Sequence, residues 1–142
     1  MDAWHKEYEW NKDEYIKLFD EAMQEKQEQN IEFLEKTITN TIGRKYAVAC
    51  QNGTDALMFS LITLGIKPGD EVITTNFSWI STASCISMVG AKPVFCDIDL
   101  KNYHMTLDSI KRMYQPEVKA IVYPHLFGNM SDITDILEFC KE

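Results

Sequence analysis

The sequence predicts an α/β fold, a mostly parallel sheet with flanking helices that is preceded by two N-terminal helices. Three observations predict it. From Tyr46 onward, short apolar runs alternate with stretches of helical periodicity. Each change of period is marked by glycine, proline or a capping residue, as at Gly65, at Lys67-Pro68-Gly69-Asp70 and at Gly90. Before Tyr46 the spacing gives two helical stripes and no strand, and eleven of the 22 acidic residues fall in the first 35 positions.

In the first helix Asn11 and Glu14 resemble a capping pair, followed by the stripe Tyr15, Ile16, Phe19, Ala22 and Met23. Asn30 is the expected cap of the second, where Ile31, Leu34, Ile38 and Ile42 share a face before Gly43. YAVAC (46–50) reads as the first strand. Asn52-Gly53 is a hairpin signal, but the next residues, TDALMFSLITLG (54–65), read as a helix ending at Gly65. KPGDE is a turn, EVITT (71–75) a strand and ISTASCISMVG (80–90) a helix. KPVFCDID (92–99) is the third strand, Thr106 with Asp108 opens a short helix through Ile110 and Met113, and KAIVYP (119–124) is the fourth strand. Ser131 is the expected cap of the last helix. The division expected is a helical segment over 1–45 and an α/β domain over 46–142.

Composition narrows the function. With 142 residues, 45% of them hydrophobic and 25% charged, the chain can bury one ordinary core. A net charge of −8 offers no basic face for nucleic acid and disfavours anionic lipid. The opening MDAWHKEYEWNKDEY has neither a basic nor an apolar leader region, and no apolar run reaches the ~18 residues of a membrane helix, so a cytoplasmic, membrane-free protein is expected. Cys50, Cys85, Cys96 and Cys140 form no CxxC pair; buried thiols are expected, and no metal site.

Ligands of parallel sheets bind beyond the carboxyl ends of the strands, which directs attention to QNGTD, NFSW, DLKNYH and PHLFGN. At QNGTD a strand runs into a helix whose first N–H groups and dipole favour an anion. Gly53 would allow close approach and Thr54 would add a hydroxyl donor. The other reading of Thr54 is a plain N-cap. Phe77 and Trp79 offer either a stacking wall for a planar ring or a pair packed under the neighbouring helix. His125 is either a general acid/base or the partner of a loop carbonyl. Asp97 and Asp99 read as carboxylates that fix the loop to Asn102, the other reading being an acid/base pair.

Taken in order, RKYAVACQNGTDALMFSLITLGIKPGDEVITTNFSWISTASCISMVGAKPVFCDIDLKNYHMTLDSI and KAIVYPHLFGNMSDI resemble the DegT/StrS family of sugar aminotransferases. The resemblance spans about residues 30 to 142 and implies part of the large domain of a fold-type I aminotransferase. Pyridoxal 5'-phosphate is the implied cofactor, and the implied reaction moves an amino group from a donor, commonly glutamate, to a keto-sugar carried on a nucleotide. It implies further that Gly53, Thr54 and the Asp55 amide hold the cofactor phosphate, that Trp79 stacks on the ring with Thr82 near by, and that His125 lies beside the active-site loop as a possible accessory residue. Family members are much longer. The aspartate facing the pyridine nitrogen, the serine and the Schiff-base lysine belong to the part not matched, so the α/β domain is expected to be incomplete and this chain alone inactive. A homodimer, or a complementing C-terminal chain, is the implied partner. The front loop, KQEQN, also departs from the glycine-containing family pattern. The alternative is a non-catalytic phosphate- or nucleotide-binding module derived from that fold.

Overall fold

The computed structural model describes residues 12–14, 16–21 and 27–141, and folds as two compact units that divide between Ala49 and Cys50. In the first unit, residues 12–14 and 16–21 are helical, whereas the expected cap Asn11 and the stripe positions Tyr15, Ala22 and Met23 lie outside the described residues. Helix α1 is Gln27–Ile42. Asn30 is therefore inside it and does not cap it; the preceding Gln27, Glu28 and Gln29 are good helix formers, and the helix starts before the cap signal. Gly43 ends α1 as expected, with φ of +65°, a left-handed turn that glycine takes at no steric cost.

The expected strand at 46–50 is not a strand. It is a short apolar run of the kind that makes a strand, but it joins no ladder, Tyr46 and Val48 are 73% and 79% exposed, and the Ala49 N–H donates to Glu35 Oε1 at 2.8 Å. A strand exists only where a ladder partner accepts it, and period alone does not supply one.

The second unit is a three-stranded parallel sheet with helices on both faces. Its elements are α2 (Gly53–Thr63), β1 (Glu71–Thr74), α3 (Ser81–Met88), β2 (Lys92–Phe95), α4 (Leu107–Met113), β3 (Val118–Ile121) and α5 (Thr134–Phe139), with strand order β2-β1-β3. Among the described residues there are thus three ladder-forming strands where four were expected. In register, Glu71 sits beside Lys92 and Ile73 beside both Val94 and Ile121, with a register shift in the β1–β3 ladder between Glu71 and Val72.

β1 is central and dry: Val72, Ile73 and Thr74 are fully buried. Because successive side chains of a strand point to opposite faces, the strand feeds two cores. Val72 packs with Leu61 of α2, Ile66, Ala91 and the α3 residues Cys85 and Ile86. Ile73 packs with Cys96, Met105, Ile110 of α4 and Ile136 of α5. The sheet is thereby sandwiched, α2 and α3 on one face and α4 and α5 on the other, which is the arrangement the alternating pattern predicts.

Local chemistry fixes the corners. Lys67-Pro68-Gly69-Asp70 closes with Asp70 N–H on Lys67 O at 3.1 Å and Gly69 at φ +96°, a turn with proline second and glycine third. Gly90 is required twice over: its φ is +81°, and an added Cβ would meet Pro68 Cγ at 2.8 Å. Thr106 opens α4 as expected, and its capping partner is Ser109, in a reciprocal box. Ser131 does not cap α5. Asp132 Oδ1 takes the Thr134 N–H and hydroxyl instead, and Ser131 Oγ pairs with Tyr123 Oη at 2.8 Å.

Of the four cysteines, Cys85 and Cys96 are buried as expected, Cys50 is half-buried and Cys140 is exposed, being placed just past the end of α5. Burial pushes the Cys85 and Cys96 thiols above the ordinary 9.0, against partial relief from hydrogen bonds to Cys85 by backbone N–H groups and to Cys96 by Ser109. An acid whose folded pKa is raised stabilises the fold below the unfolded value and loses that contribution as pH rises through the folded one. Urea midpoints are therefore expected to fall as pH climbs past 9.0. The C85A chain should show a shallower alkaline decline, and an unchanged slope in C85A would refute the assignment. No helix among the described residues is long and apolar enough to cross a membrane.

Candidate active site at the carboxyl ends of the strands

The beginning of α2 is made by Asn52. Its backbone is extended, its Oδ1 accepts from the Asp55 N–H at 2.9 Å, and its Nδ2 donates to Asp55 Oδ2 at 3.0 Å. So Asn52-Gly53 opens a helix, not a hairpin, and the cap is Asn52, not Thr54. This frees Thr54: its hydroxyl donates to Ser81 Oγ, in the first turn of α3, at 2.8 Å.

That single bond joins the N-terminal first turns of two helices. Each helix start carries about half a positive charge and N–H groups without helical partners, so the junction favours an anion without any lysine. The Asp55 N–H is occupied by Asn52, and the Ala56 N–H by Asn52 O at 3.1 Å. Among the described residues no hydrogen bond is made by the Gly53 and Thr54 amides, nor by that of Ser81, which leaves them open to a ligand. A Cβ built on Gly53 would meet nothing within 4 Å, so glycine leaves clear space above the helix start. Asn52 and Ser81 were missed from sequence. The Asn-x-x-Asp spacing was a usable signal for the first, whereas Ser81 becomes relevant only when α3 lies beside α2.

The loop from Thr75 to Ile80 leads into α3. Trp79 is 75% exposed, so its indole is presented as an open face and is not packed under a helix. Phe77 instead stacks on Tyr103, with centroids 5.5 Å apart and planes at 29°. The two aromatics read together in sequence therefore part company. Thr82 is buried, and its hydroxyl is engaged with Ser78 Oγ at 2.8 Å, which braces the loop that carries Trp79.

Tyr103 belongs to the tight loop after β2, fixed by the Ile98–Met105 bridge and by Asp99, whose Oδ1 accepts from the Lys101 and Asn102 N–H groups at 2.7 and 3.3 Å. Asp99 is thus the loop-fixing carboxylate expected, and Asp97 is exposed. Lys92 and Lys119 are tied to Glu71 and to Pro116 O near the amino ends of their strands, away from this crevice. Lys101 is exposed in the loop after β2, on the carboxyl side.

His125 follows β3 at the same end of the sheet and precedes a three-residue helical turn, Leu126–Gly128. Its ring meets those of Tyr123 and of the buried His104 at centroid distances of 5.2 and 6.2 Å. Sequence reading gave His104 no role, because a lone histidine in a loop carries no signal of what it will pack against. Among the described residues no group of three or more histidines, cysteines or acids converges as a metal site.

Comparison with known proteins gives three points of reference. Residues 9–142 match the DegT/DnrJ/EryC1/StrS aminotransferase family. The chain is 40% identical over 103 residues to UDP-2-acetamido-2-deoxy-3-oxo-D-glucuronate aminotransferase of Pseudomonas aeruginosa PAO1, a match that takes in 72% of this chain and 29% of that protein. Its fold resembles the aminotransferase from Psychrobacter cryohalolentis (TM-score 0.77, 35% identity, 80% of this chain and 29% of that one) and NtdA from Bacillus subtilis with bound cofactor PMP (TM-score 0.76, 32% identity, 78% and 26%). The chain thus spans under a third of the length of these relatives.

Proposed function

This chain belongs to the DegT/DnrJ/EryC1/StrS aminotransferase family, and from that premise we propose that it forms the cofactor-binding portion of a pyridoxal 5'-phosphate-dependent sugar aminotransferase. The substrate class proposed for the whole enzyme is a nucleotide-linked keto-sugar, with glutamate as amino donor, in a cytoplasmic setting. The observation that carries the reading is the Thr54–Ser81 bond joining two helix starts, with the open Gly53 and Thr54 amides beside it. These groups fit a phosphate dianion.

The chain's own residues then have distinct tasks. Gly53 and Thr54 donate backbone N–H groups to the phosphate, and the Thr54 hydroxyl turns from Ser81 toward it. Asp55 adds its amide only where Asn52 gives it up. Trp79 covers one face of the cofactor ring and excludes water from it, while Thr82 holds that loop in place through Ser78. His125 stands at the mouth of the crevice as an accessory residue. When bound, the cofactor supplies an electron-accepting ring for amino transfer.

The lysine that tethers the cofactor is assigned to the part of the relatives that this chain does not match. A homodimer of the longer protein, or a complementing chain, is accordingly proposed as the active species. Titrating the purified chain with pyridoxal phosphate while following tryptophan fluorescence is expected to give saturable binding that inorganic phosphate displaces, without amino transfer from glutamate. Saturable binding of a nucleotide with none of pyridoxal phosphate would replace this reading with that of a non-catalytic phosphate-binding module. Turnover by the chain alone would overturn the assignment of the lysine.

A further inference from the structure

Inside a helix a serine or threonine hydroxyl has a ready partner, the backbone carbonyl one turn back. Thr37 and Thr41 in α1 donate to Phe33 O and Thr37 O, and Ser60 and Thr63 in α2 donate to Ala56 O and Phe59 O, at 2.7–2.8 Å. Thr54 has no such partner. It is the second residue of α2, so the position one turn back lies outside the helix, and its hydroxyl crosses to Ser81 Oγ instead, 2.8 Å away. The two helix starts lie side by side because Leu61 of α2 and Cys85 and Ile86 of α3 share one core.

A hydroxyl carries one proton to give and two lone pairs to receive. In the ligand-free chain Thr54 donates and Ser81 accepts, and the Ser81 proton has no acceptor among the described residues. The bond can therefore reverse. When an anion at the start of α2 takes the Thr54 proton, Ser81 can turn its own toward Thr54 Oγ, and the two oxygens keep their contact. A row of hydroxyls strengthens its last bond, because each donor polarises the next. Without Ser81, the Thr54 side chain loses the hydrogen bond that fixes its rotamer.

We infer that Ser81 is a positioning residue: it holds the Thr54 hydroxyl in one rotamer at the start of α2 and reverses its hydrogen bond when the anion arrives, an assignment that rests on the proposed function for the identity of that anion. No proton leaves its oxygen. Ser81 also opens α3 directly after the Trp79 loop, so the same bond joins the phosphate end of the crevice to its stacking wall.

The first measurement uses no ligand. Three-bond couplings from Thr54 Cγ2 to its backbone N and C′ are expected to show one χ1 rotamer in the unsubstituted chain and averaging in S81A. A single χ1 in S81A overturns the inference, whether or not pyridoxal phosphate binds. The second measurement is fluorescence titration with pyridoxal phosphate. A side chain released among three staggered wells spends about a third of its time in each, so S81A should bind about threefold more weakly. S81T should bind as the unsubstituted chain does, and in the T54V background S81A should cost nothing more. Pyridoxal, which lacks the phosphate, should bind the S81A and unsubstituted chains alike. An unchanged affinity in S81A overturns the inference, and so does a higher one, which would make Ser81 a competitor for the Thr54 proton. An equal loss with valine and with threonine at position 54 overturns it as well, since Ser81 would then act independently of Thr54. Absence of any pyridoxal phosphate binding removes the proposed function and leaves the χ1 result to decide.

Discussion

Thr54→Val lowers the affinity for pyridoxal phosphate by about tenfold to a hundredfold, the range expected when a hydrogen bond to a charged group is lost. Valine keeps the shape of threonine and removes only the hydroxyl, so the Gly53 and Thr54 amides stay where they are. The same change breaks the bond to Ser81 Oγ, 2.8 Å away in the unliganded chain. Its cost to stability is that of one neutral hydrogen bond, about 1 kcal/mol. The two effects are separable: urea unfolding reads the second, and fluorescence titration reads the first. Pyridoxal without its phosphate provides the control, since its weaker binding should be the same for both chains. Thr54→Ser restores the hydroxyl and should restore most of the affinity. Equal affinity in the valine and threonine chains would show that Thr54 is only a strut between α2 and α3.

Ile73→Ala destabilises the second unit by about 2–5 kcal/mol, the range for truncating a fully buried isoleucine. Ile73 is wholly buried in the central strand, and its side chain is the point where α4, α5 and the loop residues Cys96 and Met105 meet. No neighbour can collapse into the gap easily, because β1 is held by ladders on both sides. A domain of ordinary stability has about 5–15 kcal/mol in all, so the variant unfolds at much lower urea or is unfolded outright. Leu100→Ala is the contrast. Leu100 is 82% exposed in the loop after β2, and its truncation should change stability by about 0.5 kcal/mol or less. Circular dichroism in urea compares the three chains, and near-equal midpoints for I73A and L100A would contradict the two-core description.

Much of this organisation is legible along the chain because its causes are local. The turn at Lys67–Asp70 needs proline and glycine in successive places, and the box at Thr106–Ser109 needs two hydroxyls three residues apart. The strand at Glu71–Thr74 is written in the β-branched Val72-Ile73-Thr74 that follows the Pro-Gly turn. Where reading failed, the deciding partner was remote or in competition. YAVAC is an apolar run of strand type, but the Ala49 N–H goes to Glu35, fourteen positions away, and no local pattern announces that. Ser131 is a good cap by type, yet the Tyr123 hydroxyl claims it, and α5 starts after Ile133 with no side-chain cap, the Thr134 N–H and hydroxyl going to Asp132 Oδ1.

The site divides along the same line. The sequence by itself determined that a glycine and a threonine open a helix at the ligand-binding end of a parallel sheet, and that Trp79 and His125 lie in loops at that end. Period, punctuation and chain order are enough for this. Only the tertiary structure decided that Thr54 reaches Ser81 twenty-seven residues on, that Phe77 leaves Trp79 for Tyr103, and that His104 packs edge-on against His125. Each of these is a contact between segments brought together by burying the two faces of β1. A hydroxyl or an imidazole has no preferred partner until that burial sets which groups are left within its reach.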